Sequence, residues 1–154
     1  MVPVCGRPLI DRLMAIAGRA GISDIAIVRG YCAENLILSA EGRSLDPEFV
    51  LNQEFATTNM VYSLWRARHT FTDPIIVSYA DILYQPDLLK SLMATPDNIS
   101  VVVDRDWKPY WQARFDDPLS DAESLVLDER GNIRNIGQKV TAIDDVEGQY
   151  IGLM

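Results

Sequence analysis

Short apolar runs alternate with helix-patterned stretches through the first two thirds of this chain, and that order constrains the fold more than any single motif. In PLIDRLMAIAGRAG, residues Leu9, Leu13, Ile16 and Ala17 share one helix face, and Gly21 supplies the stop. The strand DIAIVRG follows at once. The step repeats as a short polar helix from about Ala33, a strand EFVLN, a helix from about Asn59 to His69 and a strand ending at Tyr79. A helix DLLKSLMA and a strand ISVVVD continue it. Such alternation predicts layered α/β architecture with a largely parallel sheet. After Asp104 the pattern changes to an aromatic, Pro-punctuated stretch, WKPYWQARFDDP, and then to ESLVLDERGNIRNIG, read as two strands joined by a turn near Arg130 to Asn132. No repeat, low-complexity tract or linker interrupts the chain, so residues 1–154 are read as one domain.

Composition narrows the function classes. The 154 residues are 48% hydrophobic and 23% charged, enough to bury a core. A net charge of −8 argues against a nucleic-acid-binding surface, which needs a basic stripe. Cys5 and Cys32 lack a CxxC spacing or a nearby His, which points to neither a zinc site nor a disulfide framework. A reducing cytoplasm is the expected compartment. No run of about 18 apolar residues and no charged segment followed by an apolar signal core is present, so a membrane-spanning or secreted protein is not expected.

One segment carries the strongest chemical signal. In PIIVSYADILYQPD, the run Ile75, Ile76, Val77 reads as a strand buried on both faces, and Pro86 with Asp87 opens the next helix. Ligands of open α/β sheets bind beyond the carboxyl ends of strands, where a carboxylate such as Asp81 is placed to hold a metal on a phosphate. A loop or helix-capping aspartate is the competing reading, because Asp is also a favoured N-cap.

Six ordered blocks together resemble the sugar-phosphate nucleotidyltransferase superfamily, and in particular its phosphocholine and phosphonate cytidylyltransferase-like branch: VCGRPLIDR, GISDIAIVRGY, NQEFATTNMVYSL, IIVSYADILY, VVVDRDWKPYW and EGQYIGLM. The resemblance runs from about Val2 to Leu153. It implies a Rossmann-like, three-layer α/β/α fold with a mostly parallel mixed sheet. It also implies an enzyme that transfers a nucleoside monophosphate, CMP in this branch, from an NTP to a phosphorylated small acceptor such as phosphocholine or a phosphonate, releasing pyrophosphate. The implied partners are CTP or UTP and that acceptor, and the implied cofactor is Mg²⁺.

By the same resemblance, Asp81 matches the strand-end carboxylate that ligates Mg²⁺, although Tyr79 stands where related chains often carry a second acid. The block ATTNM matches the loop beside the nucleotide, making Thr58, Asn59 and Ser63 candidate base or ribose contacts. Helix capping by Thr57, Thr58 and Asn59 is the alternative. Asp104, Asp106, Trp107, Tyr110 and Trp111 form an aromatic and acidic cluster suited to an ammonium group, because ring quadrupoles and carboxylates both attract a cation. Trp111 stands at the matching acceptor position, and Trp107 could equally fill the core. Gly148 and Gln149 match the strand on the acceptor side of the pocket, with a plain turn before a strand as the alternative. His69 has no partner at catalytic spacing and reads as a surface or capping residue.

The resemblance also marks departures. Family members open on a strand and a glycine-rich loop with an arginine and a lysine that cradle the triphosphate, and they take a second metal carboxylate from beyond the position of Met154. Neither segment is among these residues, so the expectation is a domain cut at both ends, with the first strand of its sheet missing and no activity of its own. The competing functions are a sugar-1-phosphate nucleotidyltransferase, with Gln149 facing a sugar, and a degenerate nucleotide-binding domain without catalysis. A nucleotide-sugar glycosyltransferase would want a paired acidic motif, and Tyr79 occupies its first position.

Overall fold

The computed structural model describes residues 2–72 and 74–154, without the side chains at 41, 42 and 144. The chain divides into two units, one up to Pro96 and one from Asp97 to Met154.

The first unit begins with a two-residue hairpin, β1 (Pro3–Val4) and β2 (Arg7–Pro8), turned at Cys5 and Gly6, which both take positive φ. Helix α1 (Leu9–Ala20) follows and ends on Gly21 in the left-handed region. Leu13, Met14 and Ile16 are buried on its inner face, close to the expected stripe. Asp11 is buried with them, and its Oδ1 accepts the Ser39 N–H at 2.9 Å, which ties the helix to the start of α2 (Ala40–Arg43). Helix α1 packs on α2 and on α4 (Pro86–Met93), whose Leu89 is fully buried. Pro86 at the first helical position needs no N–H there, which explains why α4 starts where the sequence places it.

Strands β3 (Ala26–Arg29) and β4 (Glu48–Leu51) pair in parallel with Ala26 opposite Glu48 and Arg29 opposite Leu51. This is the αβ step that the alternation predicts. Helix α3 (Met60–Arg66) lies beside β3 and is capped by Asn59, whose Oδ1 accepts the Tyr62 N–H at 3.0 Å.

The expected strand ending at Tyr79 is a correction. Residues 75–77 are outside every strand pair, Ile75 is exposed, and Ile76 and Val77 are only half-buried. An apolar run becomes a strand only where another segment completes its ladder of hydrogen bonds, and no described strand does so here. The strand read in ISVVVD shrinks likewise to β5 (Val103–Asp104), with Ile99 exposed.

In the second unit, β5 pairs antiparallel with β8 (Gln149–Tyr150). The aromatic stretch forms helix α5 (Trp107–Arg114). Strands β6 (Glu123–Leu127) and β7 (Ile133–Lys139) form the expected antiparallel hairpin. Its turn is built by Asp128, whose carboxylate accepts the N–H groups of Arg130 at 2.9 Å and Asn132 at 2.8 Å. The register of the hairpin shifts twice, once between Glu123 and Leu125 and once between Val126 and Leu127. Gly137, at φ 77°, marks the first bulge, where Ser124 Oγ accepts the Gln138 N–H at 3.0 Å. All seven residues of β7 are exposed. The core of this unit is Trp107, Ala122, Val140 and Val146, with Trp111, Leu119 and Ile143 packed against it.

Candidate functional site

Strands β3 and β4 point their carboxyl ends the same way, so the segments after Arg29 and Leu51 emerge on the side of a parallel pair where ligands bind. The segment after β4 is Asn52 to Asn59, and it folds back on the end of β3. A Cβ added at Gly30 would come within 2.5 Å of Phe55 Cβ, so a side chain at position 30 would displace that loop.

The loop is organised around Asn52, which is 1% exposed. Its backbone N–H donates to the Arg29 carbonyl at 2.9 Å, adding a rung to the parallel pair. Its Nδ2 donates to Thr58 Oγ1 at 3.1 Å and to Ser63 Oγ at 3.0 Å, while its Oδ1 accepts the Glu54 N–H at 3.0 Å. Thr58 Oγ1 in turn donates to the Glu54 carbonyl at 2.7 Å. The Tyr62 hydroxyl donates to the Glu54 carboxylate, and that bond pushes the phenol above its ordinary pKa. Ala56, Thr57, Thr58, Asn59 and Tyr62 line an open concavity of about 610 Å³. The three residues expected beside a nucleotide, Thr58, Asn59 and Ser63, therefore belong to one cluster. Asn59 caps α3, as the alternative reading of ATTNM expects, and it also lines this concavity.

Sequence reasoning missed Asn52, Glu54 and Tyr62. A polar residue directly after an apolar strand could have drawn attention to Asn52, but only its burial shows that the loop is built on it.

Asp81 sits in the turn between the extended segment 75–79 and α4. Its carboxylate is exposed and, among the described residues, makes no hydrogen bond or ion pair. Mg²⁺ prefers oxygen ligands and is commonly held by one or two carboxylates with substrate phosphates and water, so the donor chemistry of Asp81 fits the ion. No group of three or more His, Cys, Asp or Glu side chains gathers into a metal cage among the described residues.

The expected acceptor residues divide by role. Asp104 Oδ1 accepts the Asp106 N–H at 2.9 Å, a local turn that leads into α5, and Asp106 is exposed at the start of that helix without capping it. Trp107 is 3% exposed and stands at the centre of the second unit's core, so its ring is occupied by packing. Trp111 meets Trp107 edge-on, with centroids 6.0 Å apart, and Tyr110 meets Trp111 at 5.5 Å. The Arg114 guanidinium stands over Tyr110, Trp111 and Phe115, 5.2, 5.6 and 5.1 Å from their centroids. A cation of the protein itself therefore already uses the aromatic faces expected to receive an ammonium group.

Gly148 has a different neighbour from the expected ligand. A Cβ there would lie 2.3 Å from Val103 Cγ1 and 3.0 Å from the Asp104 carbonyl oxygen, so the absent side chain makes room for β5. Gln149 is 6% exposed, and its Nε2 donates to the Glu123 and Gly148 carbonyls at 2.8 and 3.0 Å. Both amide hydrogens are thus engaged inside the fold. His69 pairs on the surface with Glu48, Nε2 to Oε1 at 2.6 Å.

Residues 1–138 match the MobA-like NTP transferase domain. The chain is 36% identical over 160 aligned residues to CTP:phosphoglutamine cytidylyltransferase of Campylobacter jejuni, an alignment covering 99% of this chain and 62% of that protein. It is 24% identical over 111 residues to CMP-5'-(3-aminopropyl)phosphonate synthase of Streptomyces rubellomurinus, covering 71% of this chain and 18% of that one. It is 34% identical over 104 residues to the bifunctional protein GlmU of Rhizobium johnstonii, covering 66% of this chain and 23% of the relative. The chain thus spans less than two thirds of the length of the curated relatives it matches. With the domain matched over residues 1–138 and a relative of 36% identity along nearly its whole length, the chain belongs to the MobA-like NTP transferase family.

Proposed function

We propose that this chain provides the nucleotide-binding body of a cytidylyltransferase, which moves CMP from CTP to a phosphorylated small acceptor. The observation that carries the reading is the 36% identity to a CTP:phosphoglutamine cytidylyltransferase over 99% of the chain, with a CMP-phosphonate synthase as a second relative. In the reaction an acceptor phosphate or phosphonate oxygen attacks the α-phosphorus of CTP. The bond from that phosphorus to the bridging oxygen of the β-phosphate breaks, and pyrophosphate leaves. Such transfer needs positioning and charge neutralisation more than covalent help. Thr58, Asn59 and Ser63 would orient the nucleotide, Asp81 would hold Mg²⁺, and Asp104, Asp106 and Trp111 would face the acceptor. Trp107, Gly148 and Gln149 would support that side from within the fold.

The test is an NMR titration of the chain with CTP, UTP, ATP and GTP in Mg²⁺, followed by phosphocholine, 2-aminoethylphosphonate, phosphoglutamine or a sugar-1-phosphate with pyrophosphate as the readout. CTP-selective shifts at residues 58, 59 and 63 support the reading. Spectra unchanged by every nucleotide would overturn it, and preference for a sugar-1-phosphate acceptor would favour the sugar-nucleotide branch.

A further inference from the structure

We infer that Asn52 is a positioning residue that sets the direction of the hydrogen bonds in the 52–63 loop and thereby holds Ser63 as a donor toward an oxygen atom of the bound nucleotide. The inference rests on the cytidylyltransferase reading for the identity of its ligand. An asparagine amide nitrogen has two hydrogens and no free lone pair for bonding, so it can only donate. Asn52 spends one hydrogen on Thr58 Oγ1 and the other on Ser63 Oγ. Both hydroxyl oxygens must therefore accept from inside, and each must turn its own proton elsewhere. Thr58 passes its proton to the Glu54 carbonyl, which leaves that hydroxyl committed to the loop. Among the described residues the Ser63 proton has no acceptor. The hydroxyl is thus left as a donor, suited to a phosphate, ribose or carbonyl oxygen.

Two further features make Asn52 the post on which the loop turns. Its backbone is bonded to β3 through the Arg29 carbonyl, so the amide is carried by the parallel pair rather than by the loop. It is also almost wholly buried, so water does not compete for its amide. From the end of β4 its side chain bonds both the loop, at Glu54 and Thr58, and α3, at Ser63.

The test compares Asn52→Asp, Ser63→Ala and the double variant. Asn52→Asp keeps the shape and the acceptor for Glu54, but it removes both donors and lets the Ser63 proton turn inward. With CTP and Mg²⁺ as the probe, each single variant is expected to weaken binding by roughly three- to tenfold, the worth of about one hydrogen bond. The double variant is expected to be no weaker than either single one, because both changes remove the same donor. Full additivity, or unchanged CTP binding in Asn52→Asp, would overturn the proposal. Should the unaltered chain bind no nucleotide, the function reading fails and the positioning claim is still decided by amide hydrogen exchange. Asn52→Ala should then lose protection at Glu54 and Tyr62 while residues 26–29 and 48–51 keep theirs, and protection unchanged throughout would overturn it. If the alanine variant does not fold, Asn52→Asp gives the readout at Tyr62 alone, because it keeps the acceptor for the Glu54 N–H.

Discussion

Gln149 and Glu123 hold each other in both directions: Gln149 Nε2 donates to the Glu123 carbonyl at 2.8 Å, and Gln149 Oε1 accepts the Glu123 N–H at 3.3 Å. A side-chain amide here substitutes for a missing strand rung, joining β8 to β6. Gln149→Leu should therefore destabilise the chain by about 2–4 kcal/mol, since it leaves buried backbone groups without partners. Urea unfolding measures this. A loss of acceptor binding at unchanged stability would instead show that the amide serves a ligand.

Asp81 gives the opposite expectation. Its carboxylate is exposed and makes no hydrogen bond or ion pair among the described residues, so Asp81→Ala should change stability by no more than about 0.5 kcal/mol. If Asp81 holds the divalent ion, paramagnetic broadening by Mn²⁺ in the presence of CTP should be strong at the amides of residues 80–82. That broadening should disappear in the variant. Broadening that persists in Asp81→Ala would place the ion elsewhere.

Arg114 occupies the ring faces of Tyr110 and Trp111, so an ammonium group must compete with a guanidinium already there. Arg114→Ala should strengthen the binding of tetramethylammonium or phosphocholine by about 0.5–1 kcal/mol, the worth of an exposed cation–π contact. Trp111→Ala should weaken it by a similar amount. Tryptophan fluorescence follows the titration of the arginine variant, and NMR follows the other. No gain on removing Arg114 would mean that these rings do not receive the acceptor.

Asp128 ties the β6–β7 turn to acid conditions. Hydrogen bonds from the Asn132 side chain and backbone, and from the Arg130 N–H, favour its charged form and hold its carboxyl below the usual carboxylate range. Because the folded-state value is the lower one, this contribution is present above the unfolded value and is lost as pH falls through the folded one. Carboxyl carbon shifts should show Asp128 titrating below the ordinary aspartate range, with the amides of Arg130 and Asn132 moving in step. Asp128→Ala should abolish that step.

Much of the architecture was legible because it depends on local rules. The apolar face of α1 and its stop at Gly21, the start of α4 at Pro86, the β3–β4 step and the hairpin turn each follow from a few neighbouring residues. The family match carries the α/β class that the alternation predicts and the Rossmann-like arrangement that the resemblance implies. The runs at 75–77 and 99–101 form no strand, since pairing depends on a partner distant in sequence. Within the site, the cluster of Thr58, Asn59 and Ser63 was visible as a polar block. Asn52 was not, because its importance comes from burial. Trp107 and Gln149 were legible only as an aromatic ring and an amide, because the partners that engage them inside the fold are distant in sequence.

The twice-interrupted register of the hairpin bears on how this chain behaves at high concentration. β7 offers seven exposed residues to solvent, including the half-open Ile133 and Ile136, which is the kind of border that recruits a strand from another molecule. An incoming straight strand needs an unbroken row of evenly spaced partners. The kink at Gly137 and the second slip near Leu127 divide that row into short pieces, and Arg134 and Lys139 place charge on it. Straightening the border, as Gly137→Val would attempt at a backbone angle that valine resists, should trade an orderly edge for misfolding and self-association. The bulges should thus limit strand-to-strand association as well as shaping the hairpin.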